Sequence, residues 1–590
     1  MRGTWTPLAP RLPAINFRLI MTLSSILQSS PLHLTFISLP AMSTKELVQA
    51  FNALKRHPKA PSGTVPNEWH FDIRYVQLEP TPSHIIVFYQ PQSQFIHLER
   101  LPVGISSREH GLSFFPETAQ EAASEIVRGL LHTFANNTHM GFLAAPTAGP
   151  PLAPWKLMTT DKSLAQAVGM ELKRQGVTPA PLCDVGISKP AVVRAVEDRW
   201  KTLFEKILQT TGFDAMLRAA IVTPTSIKFN TNLIKDPPIP GEDPDMDAEE
   251  KRANLILQYF NILGAAEPRD DRPDDGPALA ARIAAQYEML AESLERMNER
   301  HINSAADRGD SESALDYGIR LSLGLDCKRN RKRARDYLIK AAFSPTASDK
   351  VKAIAHGILI YWYVDSAADD FRLRYLYASC YHANVAAALA KRIYPTRESA
   401  APNVLRFMKT VINNDNLDLP LDIHLFFKDM VRADQEREEV LREGVNEMYD
   451  KRLANPNRYR CAAIECPIEA DTGSKLTRCD GQCDKEKKPY YCSTECQRDD
   501  WETHRPFCRP NAPCSVLKYQ TASDIHRRTP SSKSAAGALI IPITSPDGKT
   551  TLFSSSTMTP KMLKAVKAAT EKGGNLEEHV AAIQLTGQTK

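Results

Sequence analysis

Residues 460–508 read RCAAIECPIEADTGSKLTRCDGQCDKEKKPYYCSTECQRDDWETHRPFC, a stretch with seven cysteines and one histidine. The cysteines come in short-spaced pairs, Cys461 with Cys466, Cys479 with Cys483, and Cys492 with Cys496, and the run closes on His504 and Cys508. Two sulfurs on one tight turn can face a single metal ion, and four Cys or His ligands complete the tetrahedral shell of a structural zinc. Eight such ligands suit two zinc ions. With every position supplied by protein, no place is left for an activated water, so zinc-assisted hydrolysis is not expected of this cluster.

The order C-x4-C, twelve residues, C-x3-C, eight residues, C-x3-C, seven residues, H-x3-C resembles the MYND zinc finger. Its most specific part is YYCSTECQRDDWETHRPFC at 490–508, with Gln497, Trp501 and His504 in place. The resemblance implies a cross-braced module in which Cys461, Cys466, Cys492 and Cys496 hold one zinc while Cys479, Cys483, His504 and Cys508 hold the other. Interleaving of this kind ties both ends of the segment to its middle, which a fragment with few large apolar residues needs for stability. Two departures are visible: the first and second cysteine pairs are wider than the family's usual two-residue separation, and Asp484 to Lys488 lengthens the next loop. Cys514 is an eighth thiol in this region, beyond the eight ligands, and is read as free.

Between Cys461 and Cys508 ten acidic residues face seven basic ones, a balance of −3, and two zinc ions with seven thiolates bring the formal total to −6. Such a module is repelled by phosphates instead of gaining counterion release, so direct nucleic-acid binding by the finger is not expected. A protein ligand fits better, and the MYND resemblance implies a short proline-containing peptide. Gln497 and Trp501 are the candidate peptide-binding residues; alternatively, Trp501 forms the finger's small core.

The whole chain has 590 residues, 42 % apolar and 24 % charged, with a net charge of +5. That is too long for one core and too nearly neutral for a global nucleic-acid or anionic-membrane field. No stretch approaches the roughly 18 apolar residues of a membrane helix. Cysteines clustered as metal ligands, with Cys183, Cys327 and Cys380 scattered, suit a reducing compartment, nucleus or cytoplasm. Residues 1–41 carry Arg2, Arg11 and Arg18 and no acid, a composition a mitochondrial transit peptide would share. Pro7, Pro10, Pro13, Pro31 and Pro40 interrupt any amphipathic helix there, and the stretch reads as a disordered leader ahead of a capped helix starting near Met42.

The expected fold is multidomain and mainly α, with a small α+β N-terminal unit over 42–233. HFDIRYVQL and HIIVFYQ, rich in β-branched and aromatic residues, read as paired strands; helices are expected at Ala119–Phe134, Ser163–Gln175 and Pro190–Leu217. Acidic, proline-rich linkers flank one helix within 234–277, and 278–450 is helical. Inside it, SAADRGDSESALDYGIRLSLGLDCKRNRKRARDYLIKAA at 304–342 resembles a Sel1-like repeat of the tetratricopeptide class, with Ala305, Ala306, Gly309, Gly318, Gly324, Ala334, Tyr337, Ala341 and Ala342 in register. Asp326 stands where that family has a second glycine. The repeat implies a scaffold whose face is completed by neighbouring helices.

The basic run Lys328, Arg329, Arg331, Lys332, Arg333, Arg335 is either a localisation signal or the solvated face of a helix. His356, His382 and His424 have no second ligand at helical spacing and read as structural or exposed. The tail, 515–590, holds GALIIPITSPDGKTTLF, a hairpin with its turn at Ser545–Gly548, and a helix starting at Thr559-Pro560. No G-x-S-x-G, P-loop or G-x-G-x-x-G is present, so the chain reads as a non-enzymatic zinc-binding interaction scaffold. A lysine methyltransferase of the SET and MYND type is the alternative, with Cys380-Tyr381-His382-Ala383-Asn384 only a superficial echo of that family's cofactor signature; a nuclear corepressor is a third reading.

Overall fold

The computed structural model describes residues 42–572 except 61–62, 78–81, 104–110, 137–151, 211–212, 214, 230–236, 244, 270–280, 282–283, 286–287, 291, 295, 366–372, 397, 415–416, 418, 455, 471–474, 486, 514–537 and 545–549. The expected leader at 1–41, Cys514 and the turn at Ser545–Gly548 lie outside the described residues. The chain divides into two compact units, Met1–Asp434 and Gln435–Lys590.

The first unit begins with helix α1 (Thr44–Asn52), closed at its start by Ser43 and Glu46 in a reciprocal capping box. Strands β1 (Glu68–Val76) and β2 (Ser83–Gln90) pair antiparallel, as their composition predicts, and β3 (Phe95–Leu101) extends the meander. After helix α2 (Ala119–Ala135) the chain adds β4 (Lys156–Thr159), helix α3 (Lys162–Arg174), β5 (Gly186–Ile187) and helix α4 (Pro190–Thr210). The sheet runs β3-β2-β1-β4-β5, with β1, β4 and β5 parallel. Side chains alternate across a strand, and β1 uses both faces. Trp69, Phe71 and Ile73 pack with Ile126, Leu130 and Phe134 of α2 and with Val168 of α3. His70, Asp72 and Arg74 occupy the opposite face, where Trp200 of α4 stacks on Arg74 at 5.1 Å.

Helix α5 (Ala248–Ala266) sits between the acidic stretches and buries Ile256, Tyr259 and Ala266 in the core of the helices that follow. Those are chiefly α6 (Ser311–Leu323), α7 (Arg331–Phe343), α8 (Asp349–Asp365) and α9 (Leu373–Ile393). The α6–α7 hairpin is made by two glycines. Gly324 ends α6 at φ +81°, a backbone shape that costs glycine nothing, and a Cβ on Gly318 would come within 2.9 Å of Leu338 Cγ. The basic run is largely absorbed by the fold. Arg329 donates to Ser322 O, Arg331 forms an ion pair with Glu117, and Arg335 is 5 % exposed, donating to Tyr363 Oη and the Leu112 carbonyl. His356 and His382 meet across α8 and α9, Nδ1 to Nδ1, at 2.7 Å, whereas His424 is exposed.

The second unit holds the cysteine segment and the tail in one core. Helix α10 (Lys428–Ala454) leads from Asp434 into it. Short strands β6 (Glu469–Ala470), β7 (Thr477–Arg478) and β8 (Tyr490–Tyr491) precede helices α11 (Thr494–Asp499) and α12 (Trp501–His504). The tail forms β9 (Leu539–Thr544), β10 (Thr550–Ser555) and α13 (Pro560–Glu571). β9 pairs with β10 and also with β6, so the hairpin and one strand of the finger form a three-stranded sheet, separate from the β7–β8 pair. Leu539, Ile541, Ile543, Leu563 and Val566 from the tail join Ile468, Ala470, Leu476 and Tyr491 in a single buried cluster. Among the described residues no helix is long and apolar enough to cross a membrane.

Candidate metal centre

The local chain presents the ligands two at a time. The turn after Cys461 returns through Cys466, whose N–H donates to Ala463 O, and Cys461 N–H reaches Ile468 O. Cys492 directly follows β8 and Cys496 lies in the first turn of α11, whose start is capped by Ser493 Oγ accepting from Cys496 N–H. Cys492 N–H also donates to Cys461 Sγ at 3.4 Å, tying the first knuckle to the third. Glycine is required at 481, where a Cβ would collide with the Cys508 sulfur. His504 closes α12, its N–H bonded to Asp500 O at 2.8 Å. Tyr491 Oη donates to the Asp500 carboxylate at 2.8 Å, locking β8 to the start of α12.

These elements bring the eight ligands into two tetrads, Cys461–Cys466–Cys492–Cys496 and Cys479–Cys483–His504–Cys508, with the ligand atoms in each within 4.8 Å of one another. In the first, sulfur–sulfur distances are 3.7 Å (Cys466–Cys492), 3.5 Å (Cys492–Cys496) and 3.8 Å (Cys496–Cys466). In the second, Cys479–Cys508 and Cys483–Cys479 are 3.8 Å, Cys483–Cys508 is 3.5 Å, and Cys483 lies 3.3 Å from His504 Nε2. A tetrahedron with zinc–sulfur bonds of about 2.3 Å has edges of about 3.8 Å. Both tetrads have that size.

The chemistry of the donor set agrees. Packed together, the thiols cannot share charge evenly: hydrogen bonds from Cys461 and Cys492 hold Cys466 well below the ordinary thiol range, while the hydrogen bond to Cys466 pushes Cys461 up to about 12. A divalent cation among them replaces this contest with four favourable contacts. Burial holds His504 below its ordinary value, keeping the imidazole neutral as a ligand must be. The two tetrads fit two structural zinc ions, and the pairing is the interleaved one.

Lys564 of α13 places its ammonium 3.2 Å from Cys496 Sγ, where the sulfur's charge raises the lysine's pKa above its usual range although burial opposes this. The cysteine spacing does not announce this partner. Its only sequence signal is an amphipathic helix after a strand-like apolar run, which does not say what it packs against.

Of the two candidate peptide residues, Trp501 is 43 % exposed and Gln497 is half-buried on α11. The finger's core is built from Ile468, Leu476 and Tyr491, without Trp501. Trp501 touches His504 edge-to-face at 6.3 Å and otherwise presents its ring outward. No characterised protein and no solved structure gives a significant match to the chain. Residues 460–508 match the family model of the MYND finger, a zinc-binding module, and this segment of the chain is a MYND finger with both zinc sites assembled.

Proposed function

We propose that the finger is the recognition element of an intracellular interaction protein and that its ligand is a short proline-containing peptide. The observation that carries this is Trp501, a large aromatic side chain 43 % exposed on a helix whose other end is anchored by a zinc ligand. A rigid aromatic face is what a proline ring or polyproline II turn packs on at low entropic cost. Gln497, one helical turn earlier, supplies donors and an acceptor for the peptide backbone. Ile464, 71 % exposed on the first knuckle, adds apolar surface.

The helical middle serves in this reading as the scaffold, and the Sel1-like interpretation of 304–342 finds support in one backbone detail. Asp326, which replaces the second glycine of that repeat, sits at φ +53°, the left-handed conformation glycine would otherwise provide. The methyltransferase alternative has little to stand on: Cys380 and His382 are buried inside α9, and Asn384 Oδ1 accepts from the N–H groups of Asp429 and Met430.

A peptide array probed with the full-length protein tests the proposal. Binding of proline-containing peptides should fall by about tenfold or more in Trp501→Ala, which keeps both zinc sites, and vanish in Cys492→Ala. Binding that survives loss of the Cys492 ligand sinks it. Calorimetry with S-adenosylmethionine checks the alternative, and heat of binding there would revive it.

A further inference from the structure

The sheet of the first unit carries a polar chain that no motif search finds. Ser188 follows β5 and stands two residues before Pro190, the first residue of α4, at a strand-to-helix turn. Its Oγ lies 2.7 Å from Nδ1 of His70. The other ring nitrogen of His70, Nε2, makes no hydrogen bond among the described residues but lies 3.5 Å from Oδ2 of Asp72, within charge-pair distance. His70 and Asp72 are two apart on β1 and so share its face. All three are buried, at 7, 0 and 3 % exposure for Ser188, His70 and Asp72.

Behind them Arg74 binds Asp72 through two hydrogen bonds, at 2.7 and 3.0 Å, and Glu197 of α4 through two more, at 2.8 and 2.9 Å. One guanidinium between two carboxylates leaves a net charge of −1 beside the imidazole. Although burial alone would raise it, Asp72 is held below its ordinary pKa by His70 and Arg74, so it faces the ring as a carboxylate.

Ser188 also lines a cavity of about 1040 Å³. The cavity opens beyond the carboxyl ends of β1 and β5, bordered by Tyr75, Thr160, Phe204, Ile221 and Phe229. Ligand crevices of open sheets with parallel strands sit at that edge. The first turn of α4 begins there; Pro190 has no N–H, and the N–H groups of Val192 and Val193 donate to Lys189 O, which leaves that of Ala191. Tyr75, only 6 % exposed, brings to the cavity a hydroxyl without a hydrogen-bond partner among the described residues.

We propose that Ser188, His70 and Asp72 act as nucleophile, base and orienting carboxylate in the hydrolysis of small carboxylic esters held in this cavity. Ser188 Oγ forms a bond to the ester carbonyl carbon as its proton passes to His70 Nδ1. The attack gives a tetrahedral intermediate whose carbonyl oxygen carries the negative charge. The carbon–oxygen bond to the leaving group then breaks, and His70 returns the proton to the departing alcohol. Water repeats the sequence on the acyl-serine, releasing the carboxylic acid and restoring Ser188. Ester and water become acid and alcohol, with no oxidant or further reactant. The apolar wall of Phe204, Ile221 and Phe229 suits a short acyl chain. The expectation of a non-enzymatic chain rested on the absence of G-x-S-x-G, P-loop and G-x-G-x-x-G motifs; here the strand-to-helix turn reads Gly186-Ile187-Ser188-Lys189-Pro190, with proline as the first helical residue in place of the second glycine.

A purely structural role, pinning α4 to the sheet, would not make Ser188 reactive, and the test turns on that difference. Full-length protein is treated with a biotinylated fluorophosphonate and mapped by peptide mass spectrometry, and release of p-nitrophenol from p-nitrophenyl butyrate is followed in parallel. The expected results are labelling concentrated on Ser188 and a hydrolysis rate that Ser188→Ala lowers by about a hundredfold or more. Should Ser188→Ala lose its fold, Ser188→Cys replaces it, with selective alkylation of the new thiol by iodoacetamide expected. Absence of label on Ser188 in the unmodified chain overturns the proposal however the variants fold, as does hydrolysis that persists in a folded Ser188→Ala. Neither outcome touches the finger, so this reading and the peptide-binding one fail separately.

Discussion

Replacing Leu563 with alanine tests whether the tail is part of the finger. Leu563 is fully buried on α13, in contact with a core drawn from β9 and from the cysteine segment, and it ligates nothing. Removing a fully buried leucine side chain costs about 3 kcal/mol, within the 2–5 kcal/mol span seen when cores relax only partly. The zinc segment supplies few large buried apolar groups of its own, Ile468, Leu476 and Tyr491. Its metal affinity therefore carries the folding free energy of the joint core. At about 1.4 kcal/mol per decade, 3 kcal/mol weakens zinc retention by about a hundredfold. The assay is competition: zinc-loaded full-length protein is titrated with a chelator of known affinity, and released zinc is read with a chromogenic dye. A midpoint shift of about two decades is expected for Leu563→Ala. A shift below about threefold, with helix content unchanged, would refute the claim that the hairpin and α13 stabilise the finger.

Gly481→Ala drives a methyl group into the Cys508 sulfur, so elemental analysis of the purified variant should find one zinc per chain where the native protein holds two. Arg335→Ala leaves Tyr363 Oη and the Leu112 carbonyl buried without their donor and should lower unfolding free energy by about 3 kcal/mol in a denaturant titration. Lys328→Ala, an exposed member of the same basic run, should change it by less than about 0.5 kcal/mol. Equal effects would show that the run is not divided between core and surface. Glu99 is lowered in pKa, because His132 and His97 at 3.6 Å outweigh a burial effect that would raise it. A depressed folded-state pKa contributes stability that is complete above the ordinary glutamate value of about 4.3 and is lost as pH falls through the folded-state value. Glu99→Gln should therefore be less stable than the native chain at pH 6 and lose less on acidification below about pH 4.3; parallel acid-unfolding curves would contradict this.

Local chemistry was legible from the chain itself. The eight zinc ligands, the strands HFDIRYVQL and HIIVFYQ, the stop at Gly324, and the tail hairpin and helix each depend on residues within a few positions of one another, where spacing and propensity decide. Pairing at long range was not. The histidines show the difference: sought at one-turn spacing on a single helix, His356 and His382 have no mates, yet they meet each other across α8 and α9. The basic run misled for the same reason, since nothing near Arg331 or Arg335 in sequence reveals Glu117, Leu112 or Tyr363.

The finger divides along that line. Sequence alone determined that two closed, four-ligand zinc sites would exist, because sulfur and imidazole at those separations have no better partner than a tetrahedral metal ion. The resemblance supplied the interleaving, and the fold made it physical: β8 and α11 bring the third cysteine pair back against the first, while α12 returns His504 and Cys508 to the second. Only tertiary structure decided that the tail would pair with strand β6 of the finger and share its core, set Lys564 beside a zinc-ligating sulfur, and place Ser188 against His70, 118 residues earlier in the chain. Apolar burial and strand pairing reward any complementary partner, so which segments meet is settled by the packing of the whole chain and not by any one of them.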